Sequence, residues 1–198
     1  MLGLLAATDA RWAEEAMADL DAVLRDHAHC EMKAASHALS LAARHPDDLA
    51  LVRKLAALAK EELDHFERVV DILAARAIAL GAPPVDEYAA ALRDGAQRLP
   101  KTCSLLVDRL LVCALIEARS CERFKLLLDR MGEAHELHAF YTELFAAEAR
   151  HFREYTELAV LASSSSVVDE RFAELAAVEA DIVRARAQST KHRATIHG

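Results

Sequence analysis

One pattern of glutamate and histidine occurs twice in this sequence, and it limits the fold more than any other feature. A single glutamate comes 31 residues before a Glu-x-x-His segment in each half, since Glu31 precedes Glu62 and Glu117 precedes Glu148. The second copy follows the first by 86 residues, as from Glu31 to Glu117. Residues three apart on a helix project from one face. The repeat therefore predicts four helices that bring six side chains together: Glu31, Glu62, His65, Glu117, Glu148 and His151.

Few residues in this chain are able to end a helix, and their positions outline the helices. Only five glycines and four prolines occur among 198 residues, whereas alanine and leucine, which favour helices, are abundant. Gly95 and Pro100 are expected to bracket a short helix around Asp86–Arg98. The remaining turn signals predict four long helices and a fifth after them, at about 12–45, 47–80, 103–131, 133–162 and 167–188.

This order of helices predicts an all-α fold of the ferritin-like class. Two antiparallel hairpins joined by one longer crossover connection, residues 81–102, describe a four-helix bundle of that type. An additional C-terminal helix follows the bundle. We expect one domain over residues 1–198, with the bundle at about 12–162 and the last helix with a basic tail at about 167–198.

The six repeated residues have the chemistry of a metal centre. One glutamate from each of two helices, with Glu-x-x-His from each of the other two, forms the ligand set of di-metal carboxylate proteins. Such a mixed oxygen and nitrogen set suits iron or manganese. A single Glu-x-x-His segment is usually a surface pair, but two copies at one interval rarely arise by chance. The cluster is predicted to hold two metal ions and to carry the catalysis.

Residues beside the predicted ligands leave several alternatives open. Small residues flank Glu31 and Glu117, and they either leave a cavity beside the metals or permit close helix packing. Histidines at such places are more often structural residues, held by hydrogen bonds, than metal ligands. A tyrosine there either forms a hydrogen bond near the metals or packs against its neighbours. The residues in question are Ala28, Ala34, Ala35, Cys113, Ala114, Ser120, Cys121, His27, His29 and Tyr155.

Charge and cysteine content narrow the class of protein. The net charge is −8, but the last part of the chain carries four basic residues and no acid, so residues 1–181 carry −12. These basic residues are Arg184, Arg186, Lys191 and Arg193. Four cysteines form no C-x-x-C pair, which excludes a zinc ribbon and indicates reduced thiols. Without a signal-peptide pattern or an apolar stretch long enough for a membrane span, we expect a cytoplasmic protein that does not bind membranes.

The segments around the ligands resemble one family, the tRNA methylthio-isopentenyl-adenosine hydroxylases. The resemblance covers nearly the whole chain, and the segment Ile116–Phe124 is its most specific part. The segments that carry it are Asp26-His-Ala-His-Cys-Glu31-Met-Lys-Ala-Ala35, Lys60-Glu-Glu-Leu-Asp-His65-Phe-Glu, Leu115-Ile-Glu-Ala-Arg-Ser-Cys-Glu-Arg-Phe124 and Ala147-Glu-Ala-Arg-His-Phe152.

The resemblance implies an oxygen-dependent, non-haem di-iron monooxygenase whose ligands are the six repeated residues. The substrate would be the isopentenyl group of (methylthio-)isopentenyl-adenosine next to the anticodon in tRNA. Because no glycine-rich loop for a flavin or nicotinamide is visible, electrons are expected from a separate reductase or ferredoxin. A monomer or small homo-oligomer is expected. Candidate tRNA contacts are Arg93, Arg98, Lys101 and the four basic residues near the C-terminus.

Other functions fit the same ligand pattern. A ferritin-like protein that oxidises or stores iron would use these residues without an organic substrate. A di-iron oxygenase that acts on another substrate, including a differently modified tRNA, would share the chemistry as well. A metal-free helical bundle with an interaction role is the simplest alternative.

Overall fold

The computed structural model describes residues 2–187 and 195–196, and every regular element in this part of the chain is an α-helix. The predicted all-α class is therefore confirmed. Seven helices occur in the described residues: α1 (Arg11–Ala18), α2 (Leu20–Ala43), α3 (Leu49–Ala75), α4 (Glu87–Arg98), α5 (Leu105–Met131), α6 (His138–Leu161) and α7 (Ser165–Ala187).

The helices form two compact units. The hairpin unit, Asp19–Val85, contains α2 and α3, which pack against each other. The larger unit, Met1–Ala18 with Asp86–Gly198, contains the other five helices. Within the larger unit α5 and α6 are packed together, and α1, α4 and α7 each contact α5. The expectation of a single domain over 1–198 stays a prediction.

Local sequence explains where four of the helices begin. Asp19, Asp48, Asp86 and Ser104 stand directly before α2, α3, α4 and α5. Each side chain accepts a hydrogen bond from the backbone N–H three residues later, as Asp86 does from Ala89 at 2.9 Å. A capping residue satisfies an N–H that has no partner within the helix and stabilises it by about 1 kcal/mol.

The predicted first helix, 12–45, is wrong as a single element. It is divided into α1 and α2 at Asp19, whose backbone has φ −135° and ψ 61°. The Asp19 carboxylate accepts the Ala22 N–H at 3.1 Å and so begins a new helix. Apolar spacing continues through the break, which is why periodicity alone predicts no interruption.

Helix α3 ends five residues before the predicted limit at residue 80. Its end is a Schellman motif, in which the N–H of Ile78 donates to the Leu73 carbonyl at 2.9 Å and that of Ala77 to the Ala74 carbonyl at 3.0 Å. Ala77 has φ +55°, in the left-handed region that favours glycine. The sequence signal was obscured because an alanine takes the place where a glycine would mark the end.

Replacing Ala77 by glycine is expected to stabilise the protein. Ala77 is exposed, so the substitution removes the cost of a Cβ in the left-handed region without loss of packing. We expect an increase of about 1 kcal/mol in the free energy of unfolding, measured by urea denaturation. Ala75→Gly, at an exposed position inside the last turn of α3, is the control and should destabilise by a similar amount. A loss of stability in both variants would contradict this account of the helix end.

Two further differences concern α6 and α4. Helix α6 begins at His138 and not at 133, because the chain forms turns there in which His135 N–H donates to the Gly132 carbonyl and His138 N–H to the His135 carbonyl. Gly95 lies inside α4 and does not end it. A Cβ at Gly95 would overlap Cγ1 of Val178, so the glycine permits the close approach of α4 and α7.

Among the described residues, no helix is both long enough and apolar enough to span a membrane. The helices bury mainly leucine, alanine and aromatic side chains, as the fully buried Leu55, Leu110 and Tyr141 illustrate. None of the four cysteines is in a disulfide in the part of the chain that the structure describes.

Candidate metal centre

The hairpin unit brings together the first three predicted ligands. Glu31 lies in the middle of α2, and Glu62 and His65 lie one turn apart on α3. All three are buried, with at most 5% of each residue exposed. Nδ1 of His65 is 3.5 Å from Oε2 of Glu31 and 3.7 Å from Oε2 of Glu62. Both distances are longer than an ordinary hydrogen bond. They suit metal-ligand atoms that point at a common cation.

The electrostatics of this triad also favour a cation. Burial would raise the pKa of the Glu31 carboxyl, but the hydrogen bond from His27 and the imidazole of His65 hold it well below its usual value. Burial would lower the pKa of His65, yet the carboxylates of Glu31 and Glu62 raise it to about 9. The triad therefore favours a positive charge at a buried position. A divalent metal ion would supply that charge.

His27, one of the two histidines that the sequence left open as neighbours of the site, contacts Glu31. Its Nε2 is 2.7 Å from Oε1 of Glu31, four residues later on the same helix, and both side chains are buried. His29 instead contacts the backbone, with Nε2 at 3.3 Å from the Leu80 carbonyl, as expected of a structural histidine. The i, i+4 spacing from His27 to Glu31 was the available signal.

The larger unit holds the other three predicted ligands. Glu117 lies in the middle of α5, while Glu148 and His151 lie one turn apart on α6. All three are buried, and His151 is completely inaccessible. Donor atoms of Glu117 and His151 lie within 4.8 Å of each other. The arrangement in this unit thus repeats the Glu and Glu-x-x-His pattern of the hairpin unit.

Two buried thiols flank Glu117, one turn before and one turn after it. They belong to Cys113 and Cys121. Burial, with a smaller effect of the Glu117 charge, raises the pKa of the Cys121 thiol to about 11. In the metal-free protein Cys121 is therefore a neutral thiol near pH 7. Tyr155, one turn after His151, is buried as well, and its part in the site stays a prediction.

The larger unit also has an apolar groove of about 620 Å³, lined by residues of α5, α6 and α7. Phe152 and Phe172 meet there edge to face, with ring centroids 6.0 Å apart. Its only charged side chains are Glu157 and Asp169. The groove has no histidine and no cluster of carboxylates among its lining residues, so it lacks the donor set of a metal site.

The family-specific segment Ile116–Phe124 has a structural function besides supplying Glu117. Arg119, fully buried, donates to Oε1 of Glu179 through Nε at 2.9 Å and Nη2 at 2.7 Å. Its other bonds reach the Ala6 carbonyl at 2.9 Å, the Thr8 hydroxyl at 3.1 Å, and Glu122. Oε1 of Glu179 also accepts a hydrogen bond from the hydroxyl of Tyr88 at 2.9 Å. One arginine on α5 thereby joins the N-terminal segment, α4 and α7.

Arg123, one turn further along α5, holds residues near the C-terminus. Its Nη1 donates to the carbonyls of Thr195 at 2.7 Å and Ile196 at 3.0 Å. Trp12 donates to the same Thr195 carbonyl at 3.1 Å, and its ring lies 5.1 Å from the Arg123 guanidinium. Burial lowers the pKa of Arg123 to about 10, so it remains a cation near neutral pH.

The predicted tRNA contacts are only partly described by the structure. Arg93, Arg98 and Lys101 are exposed on α4 and the loop after it. Arg184 donates to Asp181 at 3.1 Å, and Arg186 lies 3.5 Å from Glu87. Lys191 and Arg193 lie outside the described residues. All seven assignments stay predictions.

Comparison with known sequences identifies a matching family. The family model described as tRNA-(MS[2]IO[6]A)-hydroxylase (MiaE) matches residues 2–194. A Pseudomonas putida protein named tRNA 2-(methylsulfanyl)-N(6)-isopentenyladenosine(37) hydroxylase is 44% identical over 150 residues, which are 75% of this chain and 70% of that protein. A Salmonella typhimurium protein of the same name is 36% identical over 134 residues, 67% of this chain and 47% of the relative.

A solved structure shows the same fold. It is protein 43 with aldehyde deformylating oxygenase activity from Synechococcus, similar to this chain with a TM-score of 0.85 and 35% sequence identity. The match covers 98% of this chain and 95% of the other. The predicted ferritin-like fold, with one crossover and an additional C-terminal helix, is confirmed by this likeness and by the order of the described helices.

Proposed function

Since the chain belongs to the tRNA-(MS[2]IO[6]A)-hydroxylase (MiaE) family, we propose that its substrate is the isopentenyl group of (methylthio-)isopentenyl-adenosine next to the anticodon in tRNA. Membership makes the chain an enzyme, a hydroxylase of the oxidoreductase class. The observation that carries the proposal is the family match over residues 2–194, which includes both buried triads.

We further propose that the six repeated residues hold two iron ions. Their chemistry fits, because each unit presents two buried carboxylates and one buried imidazole, a donor set that iron accepts. Four carboxylates balance the charge of two divalent ions, which would otherwise be costly to bury. Bound iron would supply the reduction of dioxygen and the transfer of one oxygen atom to carbon.

The protein side chains have separate tasks in this scheme. Glu31 and Glu117, each at the middle of a long helix, supply carboxylate oxygens from a fixed backbone. His27 orients Glu31 through its hydrogen bond. Burial of both triads excludes bulk water, which strengthens electrostatic interactions and protects reactive species from side reactions.

The reaction requires partners in addition to the tRNA. One atom of dioxygen enters the new hydroxyl group and the other leaves as water, so two electrons and two protons are consumed in each turnover. We propose that a separate reductase or ferredoxin supplies the electrons. A cytoplasmic location, with the protein as a monomer or small homo-oligomer, agrees with a substrate that is tRNA.

Mass spectrometry of tRNA tests the proposed reaction. The chain is expressed in a bacterium that makes isopentenyl-adenosine and its methylthio derivative but lacks its own hydroxylase, and digested tRNA is analysed. We expect a gain of one oxygen atom on one or both nucleosides. Cells that carry the vector alone provide the control. Unchanged nucleosides, with iron-loaded protein present, would contradict the proposed substrate.

The likeness to the Synechococcus structure favours a second candidate, an oxygenase that removes the formyl group of an aldehyde. The same iron-loaded protein is incubated with an aldehyde, reductant and dioxygen, and loss of the formyl group is measured. Aldehyde turnover without any change in tRNA would favour this candidate. Oxygen gain on tRNA without aldehyde turnover would exclude it.

A further inference from the structure

We propose that His27 is a positioning residue that makes the two metal positions unequal. It holds Glu31 in one coordination mode, whereas Glu117, its counterpart in the repeat, keeps the freedom to change its mode. This inference rests on the proposed di-iron function. It adds that the two glutamates, Glu31 and Glu117, have different roles in metal binding.

The hydrogen bond of His27 determines which oxygen Glu31 is able to offer a metal ion. Nε2 of His27 is 2.7 Å from Oε1, which is therefore occupied. Oε2 is turned toward His65, with Nδ1 at 3.5 Å. Because both His27 and Glu31 are buried, water does not compete for this bond. Glu31 would thus offer Oε2 to a metal ion more readily than Oε1.

The repeat of 86 residues places a cysteine where the first half has His27. Cys113 precedes Glu117 by four residues, as His27 precedes Glu31. The register is supported by the next residues, since Ala28 corresponds to Ala114. A thiol is shorter than an imidazole and a weak hydrogen-bond donor. It provides no equivalent means of fixing one carboxylate oxygen.

The two glutamates consequently differ in freedom. Glu31 is held at one oxygen, so the position served by Glu31 and His65 keeps a constant set of ligands. Glu117 is able to bind through one oxygen or through two. A metal ion held by Glu117 and His151 would therefore be the one whose set of protein ligands is able to change. Binding of a co-substrate is assigned to that side.

Ferrous iron spectroscopy tests this inequality without relying on activity. Wild-type protein and three variants, His27→Ala, His27→Gln and Cys113→Ala, are loaded with ⁵⁷Fe(II) without oxygen and examined by Mössbauer spectroscopy and binding titration. In His27→Ala we expect one of two ferrous signals to change and one of two affinities to fall by about 10- to 100-fold. Glutamine, which is able to donate to Oε1 with a similar reach, should restore much of the affinity.

The matched control is Cys113→Ala, at the equivalent position of the second half, which should leave both ferrous signals as in the wild type. Thermal unfolding of the metal-free variants establishes that each is folded. Identical spectra and affinities for wild type and His27→Ala at full iron loading would overturn this inference alone. Equal changes at both positions would overturn it too. A wild-type chain that takes up no iron would overturn the proposed function and the inference together.

Discussion

Replacing Glu62 by glutamine is expected to abolish iron loading at one position and to reduce tRNA hydroxylation by more than about 100-fold. Glutamine keeps the shape of the buried side chain, so packing on α3 is preserved. It removes one of four carboxylates that balance two divalent ions and replaces a charged ligand by a neutral one. Loss of a mere hydrogen-bonding partner of a ligand already costs 10- to 100-fold, and loss of a ligand should exceed that.

The repeat offers a second copy of this experiment. Glu148→Gln changes the residue that corresponds to Glu62 and should have the same effect. Glu67→Gln, at an exposed position of α3, is the control and should retain iron and activity. Iron is measured by a colorimetric assay after anaerobic loading, and hydroxylation by mass spectrometry of tRNA. Full iron content in both Glu62→Gln and Glu148→Gln would refute the assignment of these ligands.

Replacing Arg119 by alanine is expected to produce a large loss of stability, about 3–5 kcal/mol. The change leaves the Glu179 carboxylate, which also accepts a hydrogen bond from the Tyr88 hydroxyl, buried without its charged partner. Breaking a buried ion pair by removing one partner is costly because an uncompensated charge remains in the interior. For a chain of this size, the loss should lower the midpoint of thermal unfolding by about 10 °C.

An exposed arginine on the same helix provides the control. Arg130 lies 3.6 Å from Glu14, with 56% of its side chain exposed, and Arg130→Ala should change the free energy of unfolding by less than about 1 kcal/mol. Both values are obtained from urea denaturation of the metal-free protein. Arg119→Lys keeps the charge but not the forked geometry and should lie between the two. Equal losses of unfolding free energy in Arg119→Ala and Arg130→Ala would show that the buried ion pair contributes no more stability than the exposed one.

The parts of the fold that depend on neighbouring residues could be predicted from the sequence. The ends of α5 and the position of α4 follow from local signals such as Ser104 and Asp86, and the structure has both helices where they were expected. The break at Asp19 was missed because a single capping residue does not disturb the apolar spacing. The end of α3 was missed because Ala77 has a backbone conformation that its side chain disfavours.

The site, too, could be predicted only where a local sequence pattern marks its residues. The repeat identifies Glu31, Glu62 and His65 by spacing alone, and the structure places them together in the hairpin unit. By contrast, the contact of Arg119 with Glu179 joins residues 60 positions apart on different helices. No local pattern predicts such a pair, because it depends on how α5 and α7 pack. That is why the sequence singled out Glu117 in the segment Ile116–Phe124 but did not indicate the structural function of Arg119.

The two arginines of that segment have a consequence for how similarity to this chain is interpreted. Arg119 and Arg123 donate to the backbone carbonyls of Ala6, Thr195 and Ile196, so they hold residues before α1 and after α7 against α5. A protein that has these two arginines is expected to share these backbone contacts, whichever substrate it oxidises. The residues that select the substrate in oxygenases of this fold should accordingly lie outside the segment Ile116–Phe124. Transfer of this segment into a relative should raise the free energy of unfolding without changing the choice of substrate.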